Sequence, residues 1–147
     1  IIWGNHSPTM YPDFENMLSN GTPGKELIRD LDWINNDFLP TVQQRGKAII
    51  DSRGASSATS AAKAALDTVI ACENPTASGD CFSAAVITDG SYGLPDGIIC
   101  GMPLMTDQDG SVEIVRDIAL SDFAIAKIKI STDELIEERA AVEDLLK

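Results

Sequence analysis

The sequence predicts an α+β fold: a mostly antiparallel sheet packed with helices, with no Rossmann-type dinucleotide-binding domain. Three observations carry that expectation. The elements run strand, hairpin, helices, strands, helix, without the βαβ alternation that builds a parallel sheet. Two turn signals, Asn20-Gly21 and Asp109-Gly110, lie between apolar runs and point to antiparallel hairpins. No G-x-G-x-x-G loop joins a strand to a helix anywhere in the 147 residues.

Taken in order, Ile1-Ile2-Trp3 reads as the end of a buried strand, broken by Gly4-Asn5. Pro8 and Pro12 forbid a helix, so residues 9–18 are expected to be extended, with residues 25–28 returning as a second strand after Asn20-Gly21. From Asp30 the period becomes helical: Leu31, Ile34 and Phe38 share a face, and Asp30 or Asp32 can cap it. Pro40 is expected to break or kink this run, and a second helix should extend to Arg53, with Val42, Ile49 and Ile50 inward and Gly54 as its stop.

The third helix shows the clearest stripe. Ser56 or Ser57 can cap it, and Ala58, Ala61, Ala62, Ala65, Leu66, Val69 and Ile70 recur at helical spacing. A stripe this rich in alanine suits either a narrow packed core or a helix–helix subunit contact. Residues 74–80 form a loop, residues 81–88 a buried strand, and residues 89–97 an irregular connection. A hairpin over 98–106 and 111–116 follows. The chain closes in a helix expected to open at Ser131, because Ser131-Thr132-Asp133-Glu134 matches a capping box. Leu135, Ile136, Ala140, Val142 and Leu146 are its expected inner face. One domain spans 1–147.

Composition limits the functional classes. With 44% hydrophobic and 23% charged residues the chain is an ordinary globular domain. A net charge of −12 repels phosphate backbones and anionic lipid, so no nucleic-acid or membrane partner is expected. No apolar run approaches membrane-spanning length, and the opening residues resemble no signal peptide. Three cysteines, Cys72, Cys81 and Cys100, form no C-x-x-C pair, which argues against disulfides and a zinc site and fits a reducing cytoplasm.

His6 is the only histidine and hence the only side chain with an unperturbed pKa near neutrality. It follows a strand end, where catalytic groups of α/β enzymes commonly lie, although a structural histidine is the more frequent case at such a place. Hydrolysis by a Ser–His–Asp triad does not fit: there is no G-x-S-x-G elbow, and Ser7 adjoins His6 directly.

Four ordered segments carry a resemblance: Gly4-Asn5-His6-Ser7 with Tyr11-Pro12-Asp13, then Val42-Gln43-Gln44-Arg45-Gly46, then residues 56–64 (SSATSAAKA), then Ser91-Tyr92-Gly93-Leu94-Pro95. Over nearly the whole chain the sequence resembles the carboxy-terminal, catalytic domain of cytosolic-type malate dehydrogenases, in the lactate/malate dehydrogenase superfamily. The resemblance implies an NAD-dependent oxidoreductase that interconverts malate and oxaloacetate, with His6 as proton acceptor and donor. It implies a homodimer, with residues 58–70 near the interface. It also implies that an NAD-binding half, an L-D-x-x-R segment with an aspartate partner for the histidine, and the substrate-clamping arginines lie before Ile1, so that this piece is inactive alone.

By the same resemblance Ser56, Ser57 and Ser60 match positions beside nicotinamide and substrate, against a plainer reading as caps and small packing residues. Asn5 is expected to shape the turn beside the site. Arg45 suits a carboxylate clamp by its planar fork, but a structural ion pair is the favoured reading. No metal ligands are expected. A non-catalytic dimerisation or folding module of the same fold is the alternative from another class.

Overall fold

The computed structural model describes residues 1–145. Every strand pairing in it is antiparallel. Its sheet joins β5 (Phe82–Ile87), β6 (Ile99–Thr106) and β7 (Val112–Ile114) in the order β5-β6-β7. A two-stranded ribbon of β1 (Ile2–Trp3) and β2 (Tyr11–Pro12) lies beside it, and Gly4 extends β1 onto β6 through a bridge to Gly101. One face of β6 presents Cys100, Met102 and Leu104 to the core. Ala124 and Ile128 of the long helix α6 (Asp122–Ala141) belong to the same core, with Trp3, Tyr11, Phe14, Ile34 and Leu39.

Trp3 is fully buried and sets the centre of that core. Its ring meets Tyr92 edge to face at 4.9 Å, an arrangement that suits the opposed quadrupoles of ring face and ring edge. Its indole N–H donates to Asp13 Oδ2 at 3.2 Å. Asp13, itself buried, also accepts from Glu15 N, Asn16 N and Asn16 Nδ2, so the carboxylate is not left unpaired. Across the core Tyr11 is buried near Asp13 and Glu15, and burial first, then those carboxylates, push its phenol far above the usual tyrosine range.

Local signals held where the chain decides its own course. Asn20 and Gly21 both take positive φ and join β3 (Leu18–Ser19) to β4 (Thr22–Pro23), as a tight hairpin requires. Asp30 caps α2 (Leu31–Trp33) by accepting from Trp33 N at 2.9 Å. Gly54 ends α4 (Arg45–Arg53) in the left-handed region. The β6–β7 hairpin crosses Asp109-Gly110 as expected, although β7 is shorter than residues 111–116.

Other expectations are corrected. Residues 9–18 are not one extended strand: only Tyr11–Pro12 and Leu18–Ser19 pair. Residues 25–28 do not return as a strand but belong mainly to α1 (Gly24–Leu27), because Gly24 packs where a Cβ would lie 1.9 Å from Phe14 O, and the chain must turn there. Nor does Pro40 break the helix. A π turn (Ile34–Phe38) precedes α3 (Leu39–Gln43), with Leu39 N donating to Ile34 O, and this wider turn accommodates the proline at the start of α3. The break comes later, at Gln44.

The third predicted helix is α5 (Thr59–Glu73), and neither Ser56 nor Ser57 caps it: Ala58 stands at the cap without a side-chain bond. Its apolar stripe faces outward, with Leu66 59%, Val69 58% and Ile70 50% exposed, so the narrow-core reading fails. The closing helix starts ten residues before the capping box, at Ser121, whose hydroxyl accepts from Ala124 N at 3.1 Å. Leu135 and Ile136 do pack against the core, whereas Ala140 and Val142 are exposed, and Leu146 lies outside the described residues.

Gly4 takes φ +92, and a Cβ there would lie 2.1 Å from Ser131 Oγ. Gly4→Ala is therefore expected to cost about 3 kcal/mol, from backbone strain and overpacking together. Urea unfolding checks it: a midpoint close to wild type would contradict the packing described.

Candidate functional site

His6 sits on the loop leaving β1. Backbone bonds anchor that exit: Gly4 N donates to Gly101 O at 3.1 Å and Gly101 N to Gly4 O at 2.8 Å. Two glycines face each other because a Cβ at Gly101 would press on Gly4 O at 3.0 Å and Ile2 O at 3.1 Å. The loop then crosses α6. Asn5 N donates to Ser131 Oγ at 2.7 Å, and Asn5 Nδ2 donates to Glu134 Oε2 at 3.1 Å and to Glu138 Oε1 at 2.9 Å.

Past the histidine, Ser7 Oγ and Thr9 Oγ1 also converge on Glu134 Oε2, at 2.5 and 2.6 Å. Thr9 N donates back to Ser7 Oγ at 3.0 Å, and Met10 O accepts from Gln43 Nε2 of α3 at 2.8 Å. These bonds from Ser7 and Thr9, and then from Asn5, hold the Glu134 carboxyl below the usual glutamate range.

His6 itself is exposed and makes no hydrogen bond among the described residues. It lines an open hollow of about 190 Å³. Ile2, Met10, Ala84 and Ala85 give the hollow apolar walls, and Ser83 adds a hydroxyl that accepts from Ile2 N. A free imidazole over an apolar, open surface can exchange a proton with a ligand seated against that surface. The hollow offers a flat face for an aromatic or small organic group.

The other candidate residues fall out differently. Asn5 lines the hollow with His6 and is also bound to α6 through both its backbone and its side chain. Ser56, Ser57 and Ser60 lie on the approach to α5 and at its start, and none lines the hollow or bonds the His6 loop. Ser56 O accepts from Arg53, and its hydroxyl turns to Ser57 O at 3.4 Å. Arg45 is exposed and forms no ion pair among the described residues, against the structural pairing expected for it. The three cysteines are free thiols, and burial pushes Cys81 and Cys100 up. Among the described residues no group of three or more His, Cys, Asp or Glu side chains can hold a metal ion, and no helix is long and apolar enough to cross a membrane.

Sequence reasoning missed Ser131 and Glu134 as partners of the loop. Both were assigned to a helix start. The usable signal was Ser121-Asp122, a cap with an acidic first turn, which would have placed Ser131 and Glu134 inside the helix.

A family model described as lactate/malate dehydrogenase, alpha/beta C-terminal domain, matches residues 1–145. A malate dehydrogenase of Magnetococcus marinus is 49% identical over 146 residues, 99% of this chain and 45% of that protein. The crystal structure of malate dehydrogenase from Naegleria fowleri superposes with a TM-score of 0.87 at 42% identity, covering 98% of this chain and 44% of that one. A Trichomonas vaginalis lactate dehydrogenase, solved with NADH and oxamate, shares the fold at a TM-score of 0.88 and 24% identity, over 99% of this chain and 45% of its own. The chain thus spans less than half the length of these relatives.

Because Glu134 titrates lower in the folded state, its bonds stabilise fully above the ordinary glutamate value of 4.5 and fade as pH falls through the lowered value. Glu134→Gln is expected to lower stability by about 1–2 kcal/mol at pH 7. That gap should close in acid when urea midpoints are compared across pH; a gap independent of pH would contradict the charged network.

Proposed function

The chain belongs to the lactate/malate dehydrogenase family, as its C-terminal domain, and on that premise we propose that it supplies the acid–base half of an NAD-dependent malate dehydrogenase. The observation that carries this reading is His6: an exposed imidazole without a hydrogen-bond partner among the described residues, on a loop fastened on both sides, beside an open apolar hollow. Relatives at 49% and 42% identity are malate dehydrogenases, which supports malate and oxaloacetate as the reacting pair.

His6 acts as the proton carrier. In the oxidation of malate its neutral ring nitrogen accepts the proton of the C2 hydroxyl; in the reverse direction the imidazolium donates a proton to the ketone oxygen of oxaloacetate. NAD, when bound, supplies the acceptor of the hydride that leaves C2. The apolar walls from Ile2, Met10, Ala84 and Ala85 exclude water from one side of the reacting atoms. Asn5 lines the hollow beside His6 and at the same time holds the loop to α6 through its side-chain amide. Ser56, Ser57 and Ser60 belong to the surface flanking α5, where contact with cofactor or substrate needs partners beyond those described here.

The cofactor itself is held mainly elsewhere. A net charge of −12 and the lack of a glycine-rich phosphate loop make this chain a poor host for a dinucleotide's pyrophosphate. An amino-terminal NAD-binding domain completes the enzyme on this reading, and 1–147 alone is inactive. The outward stripe of α5 is the surface through which two such enzymes form a homodimer, and the free thiols suit a reducing cytoplasm.

In the full-length polypeptide that carries this chain, His6→Asn is expected to lower malate-dependent reduction of NAD by about 10²- to 10⁴-fold. Steady-state kinetics decides it; a loss below tenfold would remove His6 from the chemistry. Leu66→Glu on α5 is expected to shift the protein from dimer to monomer in sedimentation velocity, and an unchanged dimer would place the interface elsewhere.

A further inference from the structure

We propose that Glu134 is the positioning residue for His6: its carboxylate, reaching across from α6, binds residues on both sides of the imidazole and holds the loop in the conformation that turns His6 to the hollow. For turnover this rests on the reading of His6 as the proton carrier; for loop order it rests on geometry alone.

His6 has no hydrogen bond of its own among the described residues, so within this chain the course of its loop is fixed by the residues on either side of it. Those neighbours meet at one oxygen. Asn5 Nδ2, Ser7 Oγ and Thr9 Oγ1 all lie within 3.1 Å of Glu134 Oε2. Asn5 precedes the histidine and Ser7 follows it, and both side chains turn to α6 while His6 lines the hollow with Ile2 and Met10.

The chemistry calls for a carboxylate. An ionised oxygen accepts several donors at once, and such bonds are shorter and stronger than neutral ones. A glutamine in its place could accept from Ser7 and Thr9, but its NH₂ would add a further donor to a cluster already crowded with donors. The remaining anchors divide unevenly. Asn5 keeps Glu138 and Ser131, and Thr9 keeps Ser131 at 3.0 Å, whereas among the described residues Ser7 has Glu134 as its only acceptor besides the Thr9 hydroxyl. Loss of Glu134 therefore frees the segment directly after His6. Displacing a reacting group by about 1 Å can cost about 100-fold in rate, which sets the scale expected in turnover.

The test uses the full-length polypeptide with Glu134→Ala, with the loop pair Ser7→Ala/Thr9→Val, with both together, and with each added to His6→Asn. Hydrogen exchange read by mass spectrometry should quicken at least about tenfold over residues 5–10 in Glu134→Ala and in the loop pair, with β5 and β6 still protected. The kcat should fall about 10- to 100-fold at nearly constant KM, the combined variant should lose far less than the product of the two separate losses, and neither change should lower His6→Asn further.

Unchanged exchange over residues 5–10, or losses from Glu134→Ala and the loop pair that multiply, would overturn the proposal. If Glu134→Ala does not fold, the loop pair removes the same bonds from the other side, and its exchange and kcat decide. If the wild-type protein shows no malate-dependent turnover, or His6→Asn keeps it, the reading of His6 fails instead, and exchange alone still decides whether Glu134 orders the loop.

Discussion

At Gly4 the exit of the first strand runs so close to Ser131 on α6 that no side chain fits between them. The residue takes a positive φ, bonds Gly101 through both its N–H and its C=O, and delivers Asn5 N to Ser131 Oγ. Three elements distant in sequence, β1, β6 and α6, are thereby locked at one point. A buried serine on the helix becomes the acceptor that a strand end would otherwise lack, which is why this helix tolerates Ser131 on its inner face; Thr132 beside it donates to Lys129 O of its own helix. His6 lies two residues beyond that lock. Its place follows from the sheet bridge and from the bonds of its loop to α6, since His6 makes no hydrogen bond of its own among the described residues.

The electrostatics of the domain follow the same division of labour. Most surface ion pairs are helix pairs four residues apart, Lys47–Asp51, Lys63–Asp67 and Lys129–Asp133, and exposed pairs of that kind contribute little. Asp89 differs only in its setting. Ser91 first, and then Arg116, hold its carboxyl down at about 2, at the loop where Tyr92 adopts a positive φ and packs on Trp3. Glu134 and Glu138 are the acidic groups of α6 whose hydrogen bonds reach the histidine loop, and Glu134, which takes most of them, works through hydroxyls and an amide rather than through a cation. The site therefore keeps its imidazole free while its surroundings are fixed.

Much of the fold was legible in the sequence because the signals were local. Asp30 as a cap, Gly54 as a stop, Asn20-Gly21 and Asp109-Gly110 as turns each act within four residues. The first half of the long helix was not legible, for two reasons visible in its residues. Ala126-Lys127-Ile128-Lys129-Ile130 alternates at the strand period, and the true inner stripe, Ala124, Ile128, Ser131, Thr132, turns polar where it meets the His6 loop. Ser131 and Glu134 thus mimicked a helix start because tertiary contacts chose their chemistry. His6 stood out as the one histidine past a strand end, and the ordered motifs added to its weight; the bonds that fasten its loop to α6, across 122 to 133 residues, gave no signal that spacing alone could reveal. The exposed stripe of α5 shows the same limit, since its pattern fits a core and an interface equally well until the neighbours are known.

The most direct test of the account is a crystal structure of the full-length polypeptide with NADH and a dicarboxylate analogue of oxaloacetate. The account expects the His6 imidazole at about 2.6–3.2 Å from the analogue's oxygen, over the hollow walled by Ile2, Met10, Ala84 and Ala85, with the Glu134 bonds to Ser7 and Thr9 intact. An analogue bound away from that hollow, or an imidazole turned from it while the loop keeps its hold on α6, would contradict the account.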